Sequence, residues 1–239
     1  MAPKILVVLS SHDKLGDTGK KTGWYLPEFA HPYDEFIEAG FDVTVASPKG
    51  GEAPLDPSSI EAFKSDPSSV NFLNNKKSVW ENTEPLKTFA GDDATAAKTA
   101  QAYDALFYPG GHGPMYDLAF DKESHRLAAA FASAGKVVSA VCHGPAAIAN
   151  VRIDNDDSKA YLVSGRRVGG FTDNEEKEAQ LDSVVPFLLE TRLKEVGANF
   201  EKASANWGEK VVVDGNLITG QNPASAKGVG AAIVKAVKA

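Results

Sequence analysis

The chain of 239 residues contains a single cysteine and no long apolar run. One cysteine excludes an internal disulfide, which is typical of a protein in a reducing compartment. No stretch approaches the roughly 20 apolar residues that span a bilayer, and the apolar run at the N-terminus is too short for a signal peptide. We therefore expect a protein of the cytoplasm, or of the cytoplasm and nucleus, with no membrane partner.

Basic clusters and metal-binding patterns are also lacking. The formal net charge is -7, and affinity for nucleic acid depends on Lys and Arg that neutralise phosphates, so we expect no nucleic-acid partner. The sequence has no HExxH or CxxC motif. Four of its histidines are widely dispersed, and we expect no metal site: they are His12, His31, His112 and His125.

What the sequence does contain is a regular alternation of short aliphatic runs and helical patterns. The aliphatic runs predict buried strands over 4–9, 42–46, 105–108 and 136–141, a short strand or hairpin arm over 163–170, and a hairpin of 210–213 and 216–219 around Asp214-Gly215. Helical patterns cover 25–39, 122–134, 145–149, 181–196 and 224–237. This alternation favours a doubly wound α/β domain with a mostly parallel sheet.

The segment 49–103 differs from the rest in composition. It is rich in Pro, Ser, Asn and Asp, with scattered aromatic residues. Because those aromatic side chains need burial, we interpret the segment as an inserted cap of short helices rather than as disorder. The whole chain, 1–239, is then a single domain with this insertion.

The lone cysteine, Cys142, follows the aliphatic run 137–141 and precedes His143-Gly144-Pro145. This order predicts a strand that turns sharply into a helix and presents the thiol at the helix N-terminus. There the helix dipole favours negative charge, so we expect the thiol to be shifted toward thiolate. A buried structural cysteine is the alternative, and the context favours a nucleophile.

Other residues at the same edge of the sheet can cooperate with this thiol. The glycine-rich loop 110–113 leaves backbone N–H groups free for an oxyanion hole, although it can also be an ordinary turn. Glu28, early in the first helix, can exchange protons if it is buried beside the thiol. The acidic cluster 173–178 is by default a solvated helix N-terminus, and one of its carboxylates can complete a Cys-His-acid arrangement.

Four segments resemble the PfpI-type superfamily, whose members have the class I glutamine-amidotransferase-like fold. They are 140–145, 109–113, 170–173 and 220–225, and residues 22–28 with His31-Pro32 resemble the fungal heat-shock branch of glutathione-independent glyoxalases. The resemblance implies a flavodoxin-like three-layer α/β sandwich and a homodimer. It implies a triad of Cys142, His143 and Glu176, with Glu175 as the less favoured acid. Glu28 would contact the thiol, and the amides of Gly111 and His143 would form the oxyanion hole.

The resemblance also implies an activity. We expect a cofactor-free lyase of the glyoxalase III type (the D-lactate dehydratase class) that acts on a small dicarbonyl, converting methylglyoxal to lactate through a hemithioacetal on Cys142. Neither glutathione nor a metal is expected to take part. The alternatives are a stress-induced chaperone or protein deglycase, a redox sensor in which Cys142 is oxidised, and a cysteine peptidase, which would need an open groove.

Overall fold

A computed structural model describes residues 2–239, and its centre is a seven-stranded sheet. The strands in chain order are β1 (Lys4–Val8), β2 (Asp42–Ser47), β3 (Glu84–Pro85), β4 (Ala105–Tyr108), β5 (Val137–Val141), β6 (Arg167–Val168), β7 (Asn199–Phe200), β8 (Val211–Asp214) and β9 (Leu217–Gly220). The sheet has the order β3-β2-β1-β4-β5-β9-β8, while β6 and β7 form a separate parallel pair. All neighbours in the sheet are parallel except β8 and β9.

Helices fill the connections between these strands. In chain order they are α1 (Leu26–Glu38), α2 (Pro57–Ala62), α3 (Pro67–Asn75), α4 (Ser78–Glu81), α5 (Lys87–Ala90), α6 (Asp93–Ala102), α7 (Gly113–Tyr116), α8 (Lys122–Ser133), α9 (Ala146–Ala149), α10 (Asp173–Glu178), α11 (Leu189–Glu195) and α12 (Ala226–Lys238). Aspartate side chains cap the N-termini of four of them: α2, α3, α6 and α8. Within residues 2–239, no helix is long and apolar enough to cross a bilayer.

The central strands are buried on both faces, as their uninterrupted aliphatic sequences predict. Every residue of β4 and β5 is buried, and β1 is exposed only at its first residue. Helix α1 packs along α12, and α6 packs along α8, so the sheet lies between helical layers. The predicted α/β sandwich with a mostly parallel sheet is confirmed.

One long predicted helix, 181–196, is wrong. Only Leu189–Glu195 is helical, and the preceding residues form irregular turns around Pro186. Proline lacks the backbone N–H that a helix interior needs and clashes with the preceding turn, so the apolar periodicity before it does not continue as helix. The hairpin turn is also shifted by one residue, to Gly215-Asn216, with Gly215 at a φ of 58°.

Segment 49–103 contains five helices, α2 to α6, together with β3. Strand β3 pairs in parallel with the end of β2 and so belongs to the edge of the central sheet. Helix α3 packs on α1, and α6 packs on α8. The division of the chain into one domain with an inserted cap stays a prediction, since these contacts join the segment closely to the sandwich.

The parallel strands β1, β4, β5 and β9 all end at the same edge of the sheet. In open α/β sheets this edge is where ligands bind, in the crevice outside the carboxyl ends. Cys142 directly follows β5, and the loop of Gly110 and Gly111 follows β4. The topology therefore brings together residues that lie far apart along the chain.

Candidate active site

Cys142 lies on a sharp turn between β5 and α9, with a left-handed φ of 60°. Its N–H donates to the carbonyl of Gly220 at 3.0 Å, and its carbonyl accepts from the N–H of Phe171 at 2.8 Å. A left-handed conformation costs a non-glycine residue of the order of 1–3 kcal/mol, and hydrogen bonds on both sides hold it in place. The predicted elbow is therefore present, and it turns the thiol out of the strand direction.

His143 links the thiol to a carboxylate. Its Nδ1 lies 3.4 Å from Cys142 Sγ, and its Nε2 lies 2.6 Å from Glu176 Oε2. A carboxylate only accepts hydrogen bonds, so Nε2 carries the ring proton and Nδ1 presents a lone pair to the thiol. The structure thus brings Cys142, His143 and Glu176 together in the order that a nucleophile, a base and an orienting acid require.

Glu176 is buried but ionised. Burial acts to raise the pKa of its carboxyl group, but the imidazoles of His143 and His112 outweigh it and hold that pKa well below its ordinary value. His143 is buried as well, and burial together with His112 lowers the pKa of its imidazole. A neutral imidazole beside an ionised carboxylate can accept the proton of a thiol.

The neighbouring carboxylate, Glu175, has a different set of partners. With Thr172 it forms a capping box at the start of α10, in which each side chain bonds the other residue's backbone N–H. Its Oε1 also accepts from the amide groups of Gln221 and Asn222 and from the N–H of Trp207. Both glutamates are buried, so the expectation of a solvated acidic cluster is wrong for these two residues.

Glu28 projects from the first turn of α1 into the same region and is 0% exposed. Within residues 2–239, no donor meets both the distance and the angle of a hydrogen bond to either of its oxygens. The Cys142 thiol and the amides of Gly110 and Gly111 are nevertheless close enough to affect the pKa of the carboxyl group. Burial raises the pKa of this carboxyl group to about 8, and those three neighbours lower it by less. Glu28 is thus a buried acid that holds its proton near neutral pH.

The pKa of the Cys142 thiol is raised above its ordinary value, which corrects the expected shift toward thiolate. Burial is the main cause, and the negative charge of Glu28 is the next. Helix α9 starts only at Ala146 and has four residues, so its dipole is too small to compensate. When Glu28 is protonated, its negative charge is absent. The buried pair formed by Glu28 and Cys142 then carries one negative charge fewer.

The glycine loop after β4 lies against this group. A Cβ atom on Gly110 would lie 2.5 Å from Glu28 Oε2 and 2.7 Å from the backbone nitrogen of His143, so only glycine fits. Gly111 has a left-handed φ of 83°. The amides of Gly111 and His143, the predicted oxyanion hole, have no backbone carbonyl as acceptor among residues 2–239.

His112 was not predicted to interact with these residues, and its place corrects the view that the histidines are dispersed. Its Nε2 lies 2.8 Å from Glu176 Oε1, and its ring lies 4.1 Å from that of His143, measured between centroids. The available signal was its position inside the glycine loop after β4, at the same sheet edge as Cys142. Two imidazoles therefore share one carboxylate.

A pocket of about 570 Å³ is lined by Glu28, His112, Cys142 and His143, with Glu176 buried behind the two imidazoles. Its walls include Tyr25 from the start of α1, Phe171 before α10, and Trp207. Trp207 is 46% exposed, has a left-handed φ of 61°, and packs edge-on against Phe171. Pro57 and Ser58, from segment 49–103, complete the wall. The sequence carried no signal for Trp207, because it lies in a loop far from every motif.

The fold and this arrangement define a class of α/β proteins with a cysteine on a strand-to-helix elbow. Residues 24–236 match the DJ-1/PfpI family, and the chain belongs to it. The predicted resemblance to the PfpI-type superfamily is thereby confirmed.

Relatives with full-length similarity include fungal and bacterial proteins. The chain is 30% identical to the glutathione-independent glyoxalase HSP31 of Saccharomyces cerevisiae, with 100% of both chains covered. The crystal structure of glyoxalase III from Candida albicans has a TM-score of 0.78 at 25% identity, covering 98% of this chain and 97% of that one. The Rapid Encystment Protein 24 kDa of Francisella tularensis has a TM-score of 0.82 at 33% identity, covering 98% and 99%.

Proposed function

We propose that this chain is a glutathione-independent glyoxalase that converts a small dicarbonyl, methylglyoxal, to lactate. The observation that carries the proposal is a buried thiol between two proton-exchanging groups, His143 and the protonated Glu28, in one pocket. Nearly full-length similarity to fungal proteins named glutathione-independent glyoxalases supports the choice of reaction. The cytoplasm is the proposed compartment and a homodimer the proposed assembly.

The first step is addition of Cys142 Sγ to the aldehyde carbon. His143 Nδ1 takes the thiol proton, and Glu28 gives its proton to the aldehyde oxygen, which yields a hemithioacetal and leaves Glu28 as a carboxylate. The amides of Gly111 and His143 stabilise the negative charge that develops on that oxygen. Glu176 holds the imidazole in the required tautomer and stabilises its positive form.

The second step moves a hydrogen between the two carbons. The Glu28 carboxylate removes the proton from the former aldehyde carbon, and the protonated His143 gives its proton to the ketone oxygen, which yields an enediol. Glu28 then delivers its proton to the former ketone carbon while His143 takes the hydroxyl proton of the former aldehyde carbon, leaving a thioester on Cys142. Glu28 suits this shuttle because its pKa of about 8 lies close to neutral pH, so it can both donate and accept a proton. Water then hydrolyses the thioester and releases lactate and the free thiol.

The test is lactate formation from methylglyoxal by the purified protein without added glutathione. Cys142→Ser and His143→Gln are expected to lower kcat/KM at least about 100-fold, since each removes a group from the reacting centre. His125→Asn serves as the matched histidine control, because His125 lies on α8 and bonds the carbonyl of Ala119. Wild-type protein that forms no lactate would overturn the proposal.

The same samples separate the alternatives. Hydrolysis of short peptides that depends on Cys142 would indicate a peptidase. Suppression of aggregation that persists in Cys142→Ser would indicate a chaperone surface independent of the thiol. Inactivation by mild peroxide that a thiol reverses would indicate a redox sensor. The pocket wall formed by Tyr25, Ser58 and Trp207 favours a small substrate over a peptide chain.

A further inference from the structure

Two histidines that line the pocket, His112 and His143, and the buried Glu176 behind them present metal-ligand atoms to one another. His112 Nε2 and His143 Nε2 contact opposite oxygens of Glu176, at 2.8 and 2.6 Å. One ligand atom from each residue lies within 4.8 Å of both others. His143 and Glu176 are buried, and His112 is partly exposed at the pocket.

This donor set matches the chemistry of zinc. Two imidazoles and one carboxylate bind Zn²⁺ at about 2.0–2.2 Å, and the fourth position is held by water. The ligand atoms of a tetrahedral zinc ion lie ~3.3 Å apart, so the two existing contacts, at 2.8 and 2.6 Å, need to lengthen by roughly 0.5–0.7 Å, while any pair near the 4.8 Å limit must come closer. The imidazoles of His112 and His143 both border the pocket, from which a water ligand can reach the ion.

We propose that His112, His143 and Glu176 form a Zn²⁺ site whose occupation switches off the thiol. Zinc on His143 Nε2 leaves the ring proton of the neutral imidazole on Nδ1. That atom then faces Cys142 Sγ as a donor and accepts no proton from it. Only the switching rests on the proposed function; binding of the ion does not.

The ionised carboxylate and the nitrogen donors set the selectivity. Ca²⁺ and Mg²⁺ prefer sites made entirely of oxygen ligands, whereas imidazole suits zinc. The carboxylate of Glu176 offsets one of the two charges of the ion. Millimolar Mg²⁺ is therefore expected neither to occupy the site nor to compete with zinc.

The deciding measurement is Zn²⁺ binding to chelator-treated, full-length protein, in competition with a chromophoric chelator. One ion per chain is expected. His112→Gln and Glu176→Gln should each weaken the affinity at least about tenfold, because each removes a ligand. His12→Asn is the matched control, since His12 stacks on Tyr116 and bonds the carbonyl of Lys14. Cys142→Ser should bind as wild type does.

Unchanged affinity in His112→Gln would overturn the site, and so would lost affinity in Cys142→Ser. Circular dichroism checks that each variant is folded. A second measurement uses Co²⁺ bound to the wild-type protein. Its absorption spectrum should show the visible bands of an ion held by nitrogen and oxygen ligands, without a sulfur-to-cobalt charge-transfer band. Such a sulfur band would contradict the ligand set.

Lactate formation is measured on the same wild-type samples with and without zinc, followed by chelator. Loss of activity with zinc and recovery with chelator supports the switch. Full activity at saturating zinc overturns the switch. If the metal-free protein forms no lactate while zinc still binds, the proposed glyoxalase activity fails and the metal site stands.

Discussion

At the scale of single residues, the decisive feature is a carboxyl group that is buried where a carboxylate is unfavourable. Glu28 lies against Gly110 and Cys142 and, among the described residues, has no hydrogen bonds like those that Glu175 accepts from Gln221 and Asn222. Burial therefore sets its pKa to about 8 in the folded protein, against 4.5 ordinarily. The folded chain thus retains a proton that the unfolded chain releases.

This proton makes stability depend on pH. Between pH 4.5 and 8 the folded state binds more protons at Glu28 than the unfolded state does, so the free energy of unfolding falls as the pH rises. The total loss is at most about 4–5 kcal/mol at 1.36 kcal/mol per pKa unit. The glutamine of Glu28→Gln has no ionisable group. The free energy of unfolding of the wild type should therefore fall with rising pH relative to that of this variant.

Urea unfolding at several pH values from 5 to 8 measures this difference. Glu38→Gln is the matched control, because Glu38 is an exposed glutamate in the same helix, α1. Its difference from wild type should not vary with pH. A wild-type curve parallel to that of Glu28→Gln over this range would contradict a buried, protonated Glu28.

At the scale of elements, two adjacent glutamates of α10 contact different sets of residues. Successive residues on a helix point about 100° apart, so Glu175 and Glu176 face different neighbours. Glu175 closes the capping box and joins α10 to Gln221 and Asn222, while Glu176 faces the two histidines. Glu175 thus fixes the position of the helix, and Glu176 lies in the candidate site.

Two amide substitutions separate these tasks. In Glu175→Gln the side-chain amide hydrogens can face buried N–H groups, such as those of Trp207 and Asn222, that now donate to the carboxylate. This substitution should lower the free energy of unfolding by at least about 2 kcal/mol. Glu176→Gln should lower kcat by about tenfold or more, because it removes the group that fixes the tautomer of His143. Urea unfolding and lactate assays on both variants measure the contrast. A larger stability loss in Glu176→Gln, with full activity in that variant, would reverse this assignment.

The contact between α1 and α12 offers a second test. A Cβ on Gly230 would lie 2.8 Å from the backbone Cα of Pro32, whereas one on Gly228 would meet only side chains, Glu209 Oε1 at 2.7 Å and Val211 Cγ2 at 2.9 Å. Gly230→Ala should therefore lower the free energy of unfolding by about 1–3 kcal/mol, despite the better helix propensity of alanine. Gly228→Ala in the same helix should lower it by less, because side chains can shift where the backbone of Pro32 cannot. Equal effects would show that the helices separate easily.

The sequence predicted the elements whose patterns are local. Strands β4 and β5 and helices α1 and α8 follow from uninterrupted aliphatic runs and clear helical periodicity. The prediction of a helix over 181–196 was wrong because the spacing of apolar residues takes no account of Pro186, which interrupts a helix. Burial of Glu175 and Glu176 could not be predicted, because their partners at 112, 143, 221 and 222 are distant in the sequence.

At the scale of the whole molecule, the site exists only when the sandwich is closed. Glu28, His112, Cys142 and Glu176 come from four separate segments and meet at one edge of the sheet. The thiol is 3% exposed and is the only cysteine of the chain. Its chemical reactivity therefore reports on the integrity of the entire fold.

Reaction of the thiol with an aromatic disulfide reagent at increasing urea concentration tests this dependence. At neutral pH the folded protein should react at least about tenfold more slowly than the unfolded chain, because burial and the raised pKa of Cys142 reduce the accessible thiolate. The urea concentration at the midpoint of the rise in reaction rate should coincide with the midpoints of unfolding measured by circular dichroism and by loss of activity. A rise that clearly precedes the loss of secondary structure would show that the elbow opens locally.

The crowding at Gly110 has a consequence for how such a protein diverges. Glu28, the carbonyl of Val141 and the backbone nitrogen of His143 occupy all the space that a side chain there would need. Any substitution at position 110 therefore displaces the acid or the elbow, so this position cannot change gradually by point mutation. The side chains of Tyr25, Ser58 and Trp207 in the wall are free of this restriction. Selection for a new carbonyl substrate would accordingly act on the wall, while the reacting groups beneath it are inherited unchanged.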